Sequence, residues 1–151
     1  MINYKVGNLL DVESGIIVHG CNMQGKFGSG LALQIKHKWP ECYKAYKQQL
    51  PLKKLGETIW YPVNEHLWVV NALTQEFYGR DSLRCYLSYL ALKDCFDYII
   101  NYAVRTDQNI HLPDMIGCGL AGGNRDTVVK TMKFLVNKNN FMNELTIWSM
   151  I

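Results

Sequence analysis

The sequence predicts an α/β fold in three layers, with a mixed central sheet that carries helices on both faces. Two observations support this class. Stretches with the pattern of β-strands alternate along the chain with stretches whose apolar residues recur every three or four positions, as in amphipathic helices. In addition, a strand followed by a glycine-rich loop and a helix occurs twice, and eight of the twelve glycines lie in these two loops, at 20–30 and 117–123.

Length and composition fit one globular domain, predicted to span residues 1–151. With 48% hydrophobic and 19% charged residues, no membrane-length apolar run and no signal pattern, we expect a cytoplasmic protein without a membrane partner. The five cysteines are scattered without a CxxC pair, which predicts reduced thiols and no structural zinc. A net charge of +3 is compatible with an anionic ligand.

The first elements are predicted from residue type and spacing. Ile2–Val6 alternates apolar and polar residues, which predicts a strand, and Gly7–Asp11 is predicted as a turn. Gly15–Val18 is β-branched and continuously apolar, as expected of a strand covered on both faces. The loop at 28–30 then leads into a helix that runs to Trp39, with Ser29 as its predicted N-cap.

A second helix and a hairpin follow. Pro40–Gln49 is predicted to be helical, and Pro51 ends it. Glu57–Tyr61 and Leu67–Leu73 are predicted as two strands of a hairpin, joined across residues 62–66.

The second half is predicted to contain two more helices and two more strands. A long helix from Ser82 to Val104 is expected to pack one stripe on the sheet. The stripe consists of Leu83, Leu87, Ala91, Cys95, Tyr98 and Tyr102. Asn109–Pro113 is predicted as a strand, Arg125–Val136 as a helix and Leu145–Met150 as the last strand.

The first glycine loop has the chemistry of an anion site, because glycines let the backbone approach a ligand and a helix N-terminus presents free N–H groups. It is not a P-loop, since no Gly-Lys-Ser/Thr run follows Gly25. It is not a dinucleotide fingerprint either, since Leu33 stands where the third glycine belongs. A glycine turn without a ligand is the alternative for this loop alone. Two such loops at neighbouring strand ends, however, predict a diphosphate ligand.

Four motifs in order carry a family resemblance that covers nearly the whole chain. They are Gly7-Asn8-Leu9, His19-Gly20-Cys21-Asn22, Phe27-Gly28-Ser29-Gly30-Leu31-Ala32 and Ile116-Gly117-Cys118-Gly119-Leu120-Ala121-Gly122-Gly123. Together they resemble the macrodomain family, which binds ADP-ribose, and look nearest to the branch with ADP-ribose-1''-phosphate phosphatases and terminal ADP-ribose protein glycohydrolases. The resemblance implies a three-layer macrodomain-like sandwich.

The resemblance also implies a ligand site. Residues 7–9 would lie at the adenine, Asn22 at the distal ribose, and the two glycine loops around the diphosphate. Trp148 either packs near the adenine or belongs to the core. The implied ligand-binding residues are Gly7, Asn8, Leu9, Gly20, Cys21, Asn22, Phe27, Gly28, Ser29, Gly30, Leu31, Ala32, Ile116, Gly117, Cys118, Gly119, Leu120, Ala121 and Gly122.

The candidate catalytic residues are His19, Asn22, Asp81 and Asp126. His19 is the first candidate for acid–base chemistry, since imidazole titrates near neutrality, and a strand-end histidine bonded to its neighbours is the alternative. Asp81 and Asp126 are second candidates for polarising water, while Asp126 equally suits the N-terminus of the last helix. Arg125, where relatives have tryptophan, would add a cation for a terminal phosphate.

Three functions remain open from the sequence. The first is a metal-independent phosphatase that acts on ADP-ribose 1''-phosphate, the second a non-catalytic ADP-ribose reader, and the third a hydrolase that removes ADP-ribose from macromolecules. Glycohydrolases of the resembled branch use a lysine and an aspartate, and the corresponding positions here are Thr74 or Gln75 and Ala121. We expect a monomer that binds ADP-ribose or its 1''-phosphate, without metal, cofactor or direct nucleic-acid binding.

Overall fold

The computed structural model describes residues 1–28, 30–79, 81, 83–114, 116 and 122–150. Its six strands are β1 (Ile2–Val6), β2 (Gly15–Asn22), β3 (Thr58–Asn64), β4 (Leu67–Gln75), β5 (Ile110–Pro113) and β6 (Leu145–Ser149). Its four α-helices are α1 (Gly30–Lys38), α2 (Pro40–Gln49), α3 (Tyr89–Thr106) and α4 (Arg125–Lys138). Short 3-10 turns lie at Leu9–Asp11 and Leu50–Leu52.

The strands form one mixed sheet in the order β1-β6-β5-β2-β4-β3. The pairs β1–β6, β6–β5, β5–β2 and β2–β4 are parallel, and the β3–β4 hairpin is antiparallel. Because β2 and β5 are parallel neighbours, the chain leaves both at the same edge of the sheet. The segments that follow these two strands are the two glycine loops of the sequence.

The alternation along β2 divides the core into two layers. Ile16 and Val18 pack with α3 and α4 in one buried cluster. Ile17 and Cys21 pack with α1 and α2 in the other. Helices therefore cover both faces of the sheet, and the predicted three-layer α/β/α architecture is confirmed.

The long helix begins later than predicted. Its N-cap is Ser88, whose side chain accepts a hydrogen bond from Ala91 N, and Leu83 is 95% exposed outside the helix. Leu87 precedes the helix in an isolated bridge with Gln75. The predicted start at Ser82 was wrong because the spacing of Leu83 and Leu87 imitates a helical turn.

The buried face of α3 also differs from the predicted stripe. It consists of Ala91, Leu92, Cys95, Phe96, Ile99, Ile100 and Ala103. Tyr98, which was predicted to lie in the stripe, is 57% exposed. No helix in the described ranges is long and apolar enough to cross a membrane.

Candidate functional site

The carboxyl ends of β4, β2 and β5 meet at Gly20. A Cβ atom on Gly20 would lie 2.9 Å from Thr74 Oγ1, near the end of β4, and 3.8 Å from Ile116 Cγ1, just after β5. The first glycine loop and the start of the second therefore lie side by side. Gly117, Cys118, Gly119, Leu120 and Ala121 fall outside the described residues.

The end of the second loop returns against a different segment. Gly122 has a φ of +75°, and a Cβ atom there would lie 2.7 Å from the Arg84 carbonyl oxygen. This close approach explains why a glycine stands at 122.

Asn22 holds the first loop together. Its Oδ1 accepts hydrogen bonds from Gln24 N at 3.0 Å and Lys26 N at 3.3 Å, and its Nδ2 donates to the Lys26 carbonyl at 2.9 Å. The side chain is only 7% exposed. Asn22 thus shapes the turn at 22–26 through its own amide group.

Two tyrosines of α2, Tyr43 and Tyr46, hold the same turn in place through their hydroxyl groups. Tyr46 OH accepts from Gly25 N at 3.1 Å and donates toward the Asn22 carbonyl, and Tyr43 OH donates to the Gly25 carbonyl at 3.0 Å. Burial raises the pKa of Tyr46, so its hydroxyl stays a neutral donor. In the sequence, the sign of this role is the occurrence of tyrosine at two positions of α2 one helical turn apart, because the hydroxyl of a buried tyrosine needs a hydrogen-bond partner.

The rest of the first glycine loop has one part that is buried in the core and one part that is open. Phe27 is 2% exposed and stacks on Tyr46 with ring centroids 4.5 Å apart. Cβ atoms on Gly28 or Gly30 would meet none of the described residues within 4 Å, and Gly30 has a φ of +57° that favours glycine. Leu31 and Ala32 are half-buried, and Ser29 lies outside the described residues. The open side at 28–30 leaves room for a ligand at the N-terminus of α1.

His19 lies beneath the loop, with only 2% of its surface exposed. Its Nε2 donates to Asn71 Oδ1 at 2.6 Å, because the Asn71 amide nitrogen points to the Ile59 carbonyl. The ring packs edge-on against Phe27 at 5.1 Å. Burial lowers the pKa of His19 from 6.5 to about 4, so the imidazole is neutral at physiological pH. This geometry favours the alternative given for His19 above, a strand-end histidine that is bonded to its neighbours, over a role in acid–base chemistry.

The nearby cysteines are also core groups. Burial raises the pKa of Cys21 well above its usual range and that of Cys42 to about 11, so both remain thiols. The Cys21 thiol lies against His19 and Asn71, so any contact of Cys21 with a ligand would use its backbone.

The turn after β1 lies beside the last strand. Gly7 approaches the ring of Trp148, since a Cβ atom there would lie 3.1 Å from it. Asn8 Oδ1 accepts from Leu10 N and caps the following 3-10 turn, and Leu9 is fully buried. Trp148 Nε1 donates to His111 Nδ1 at 3.1 Å. Trp148 therefore combines both interpretations, because it packs on the core and adjoins the turn predicted to bind adenine.

Of the remaining charged candidates, Asp81 and Arg125 have local partners. Asp81 Oδ1 accepts from Leu83 N at 3.0 Å, and Asp126 is exposed in the first turn of α4, whose N-cap is Asn124. Arg125 pairs with Asp114 at 2.8 Å, which holds the pKa of Arg125 above its usual range and engages its charge. Among the described residues, no hydrogen bond or ion pair joins these groups to Asn22 or Gly20, and no cluster of three His, Cys, Asp or Glu side chains fits a metal.

Comparison with curated proteins finds partial matches, and no family model matches. An ADP-ribose 1''-phosphate phosphatase of Debaryomyces hansenii is 32% identical over 105 residues, 55% of this chain and 59% of that protein. A DNA ADP-ribosyl glycohydrolase of Mycobacterium tuberculosis is 40% identical over 48 residues, 32% of this chain and 14% of that protein. The chain thus matches less than two thirds of the length of each.

Solved structures match over nearly the whole chain. A protein of unknown function from Bacteroides thetaiotaomicron gives a TM-score of 0.86 at 26% identity, covering 100% of this chain and 98% of that one. The macrodomain of Mycobacterium tuberculosis DarG gives 0.80 at 18% identity, covering 97% of both chains. Thermosipho africanus DarTG in complex with ADP-ribose gives 0.77 at 16% identity, covering 99% of this chain and 42% of that chain.

Proposed function

We propose that the chain is a member of the macrodomain family, that it binds ADP-ribose at the carboxyl edge of the sheet, and that it hydrolyses the terminal phosphate of ADP-ribose 1''-phosphate. The observation that supports this most directly is the meeting of Gly20, Thr74 and Ile116 at the ends of three parallel-paired strands. Ligands of open α/β sheets bind outside such strand ends.

The diphosphate is proposed to bind over 28–30, where the glycines leave space and the N-terminus of α1 offers free N–H groups and a positive dipole end. The distal ribose then lies toward Asn22, whose side chain and two supporting tyrosines hold the turn in place. A turn that is fixed before binding costs less conformational entropy when the ligand arrives.

For the chemistry, water attacks phosphorus and the bond between phosphorus and the anomeric oxygen breaks. The anomeric oxygen takes up a proton that the attacking water gives up, so the products are inorganic phosphate and ADP-ribose with a free anomeric hydroxyl. The anomeric hydroxyl is a better leaving group than an ordinary alcohol, so positioning and backbone donors carry much of the proposed catalysis. His19 then acts as a positioning residue through Phe27 and Asn71, because its ring is buried and its lowered pKa makes it a weak proton acceptor near pH 7.

Two measurements test this proposal. Calorimetric titration with ADP-ribose should give saturable binding, and incubation with ADP-ribose 1''-phosphate should release inorganic phosphate in the presence of a chelator. Binding of ADP-ribose without release of phosphate would favour a non-catalytic ADP-ribose reader. Absence of both binding and phosphate release would contradict the proposal.

A second candidate is removal of ADP-ribose from DNA, favoured by the 40% identity over 48 residues to the mycobacterial glycohydrolase. It predicts release of ADP-ribose from a modified oligonucleotide. Thr74 and Gln75 stand where that chemistry in the resembled branch uses lysine, which favours the phosphatase.

Asn22→Ala should weaken ADP-ribose binding by about 1–3 kcal/mol, because the variant loses buried hydrogen bonds that shape the loop. Calorimetry on the folded variant measures this change. If the variant has an unchanged circular dichroism spectrum and an unchanged affinity for ADP-ribose, Asn22 is not part of the proposed site.

A further inference from the structure

Two buried side-chain hydroxyls of the described residues have no hydrogen-bond partner: Thr74 Oγ1 and Thr146 Oγ1. Thr74 is fully buried and Thr146 is 1% exposed. Leaving a buried hydroxyl unpaired is unfavourable, so each such group calls for an explanation.

The two threonines lie at opposite ends of the sheet. Thr74 is the last residue but one of β4, at the carboxyl edge, while Thr146 is the second residue of β6, at the amino edge. The sheet is parallel between these strands, so only Thr74 lies at the edge where the proposed ligand binds.

Thr74 lies where the end of β4 meets the starts of the two glycine loops. Its backbone carbonyl accepts from Ser88 N at 2.8 Å, which fixes the strand end. Its hydroxyl lies 2.9 Å from the position that a Cβ atom on Gly20 would take, and Ile116 Cγ1 lies 3.8 Å from the same position. Because residue 20 is glycine, no side chain of that residue occupies the space beside the hydroxyl.

We propose that Thr74 is a ligand-binding residue at the carboxyl edge of the sheet, whose hydroxyl is unpaired in the free protein and donates a hydrogen bond to an oxygen of the distal ribose in the complex. This inference rests on the proposed ADP-ribose binding. It assigns to Thr74 the recognition of the part of the ligand that ADP lacks.

The test compares three variants by calorimetry with ADP-ribose and with ADP. Thr74→Val keeps the shape of the side chain and removes the hydroxyl, Thr74→Ser keeps the hydroxyl, and Thr146→Val is the matched control at the other unpaired threonine. Thr74→Val should bind ADP-ribose about tenfold more weakly, as expected for a lost hydrogen bond, and bind ADP as the unmodified protein does. Thr74→Ser should restore most of the affinity, and Thr146→Val should bind both ligands normally.

Thermal unfolding of the free variants separates this role from a structural one. Both valine variants should melt at the same temperature as the unmodified protein or higher, since each removes an unpaired buried hydroxyl. If Thr74→Val does not fold, Thr74→Ala takes its place in the same comparison.

Two results would overturn the inference alone: equal ADP-ribose affinity of Thr74→Val and the unmodified protein, or equal weakening for ADP and ADP-ribose. If the unmodified protein binds no ADP-ribose, the proposed function fails and this inference fails with it.

Discussion

His19 illustrates how a side chain next to a loop can belong to the core. Side chains alternate along a strand, so His19 shares its face with Ile17 and Cys21, which pack in the cluster beneath α1 and α2. The strand pattern alone therefore indicated the face of His19. Its partner Asn71, 52 positions away, depends on the register of β2 and β4, and no local pattern predicts that register.

The burial of His19 predicts a pH dependence of stability. Its pKa is about 4 in the folded protein and ordinarily 6.5, so protonation favours the unfolded chain. The stabilising contribution is complete above about pH 6.5 and is lost as the pH falls toward 4, amounting to about 3 kcal/mol. Burial also lowers the pKa of His111, so protonation of His111 likewise reduces the stability of the folded protein as the pH falls.

Denaturant unfolding of the unmodified protein and His19→Gln across this range isolates the His19 part, since both proteins retain His111. The stability difference should shrink as the pH falls. A difference that stays constant with pH would mean that His19 titrates normally in the fold.

Tyr46→Phe should lower both stability and ligand affinity. Removing the hydroxyl leaves Gly25 N without its buried acceptor and frees the turn that Asn22 holds. We expect a loss of about 1–3 kcal/mol in the free energy of unfolding, measured by denaturant titration, and weaker ADP-ribose binding. Tyr98→Phe, at an exposed tyrosine of α3, is the control and should change neither. If Tyr46→Phe binds ADP-ribose with unaltered affinity, the Tyr46 hydroxyl does not contribute to the proposed site.

At the scale of elements, the hairpin and the parallel strands followed from local patterns, whereas the start of α3 did not. Leu83 and Leu87 continue the helical spacing backwards, but the chain at Ser88 is bonded through its N–H to the Thr74 carbonyl of β4. That contact decides the helix start, and it joins residues far apart in sequence. The position of β6 between β1 and β5 likewise rests on long-range pairing.

The capping role of Ser88 can be measured directly. Ser88→Ala removes the acceptor for Ala91 N and should cost about 1 kcal/mol of stability, while Ser88→Asn should retain most of it. Ser14→Ala, at an exposed serine outside the helices, is the matched control for denaturant unfolding. If both alanine variants unfold alike, the helix does not depend on this cap.

Charge is distributed unevenly over the whole molecule. Between Lys26 and Lys54 the chain carries seven lysines and one acidic residue, Glu41, which pairs with Lys44 at 2.9 Å. The whole chain has a net charge of only +3, so the remainder carries more acidic than basic residues. This basic layer consists of α1, α2 and their adjoining loops, and it borders the first glycine loop.

The lysines nearest the loop surround Tyr43. Lys36 Nζ lies 4.4 Å from the Tyr43 ring centroid and Lys47 Nζ lies 5.8 Å from it, while the Tyr43 hydroxyl bonds to Gly25. Within the described ranges, neither lysine takes part in an ion pair. Their positive charges therefore act beside the first glycine loop, where the diphosphate is proposed to bind.

This arrangement predicts that the basic layer steers the anionic ligand. The association rate of ADP-ribose in stopped-flow experiments should fall by about three- to tenfold as salt rises, since ions screen exposed charges. The double variant Lys36→Gln/Lys47→Gln should lose most of this dependence, with a smaller change in the dissociation rate. Lys130→Gln/Lys133→Gln, which removes the same charge from exposed positions of α4 on the other face of the sheet, should retain it. Equal salt dependence in the two double variants would show that net charge, rather than its placement beside the loop, governs the encounter.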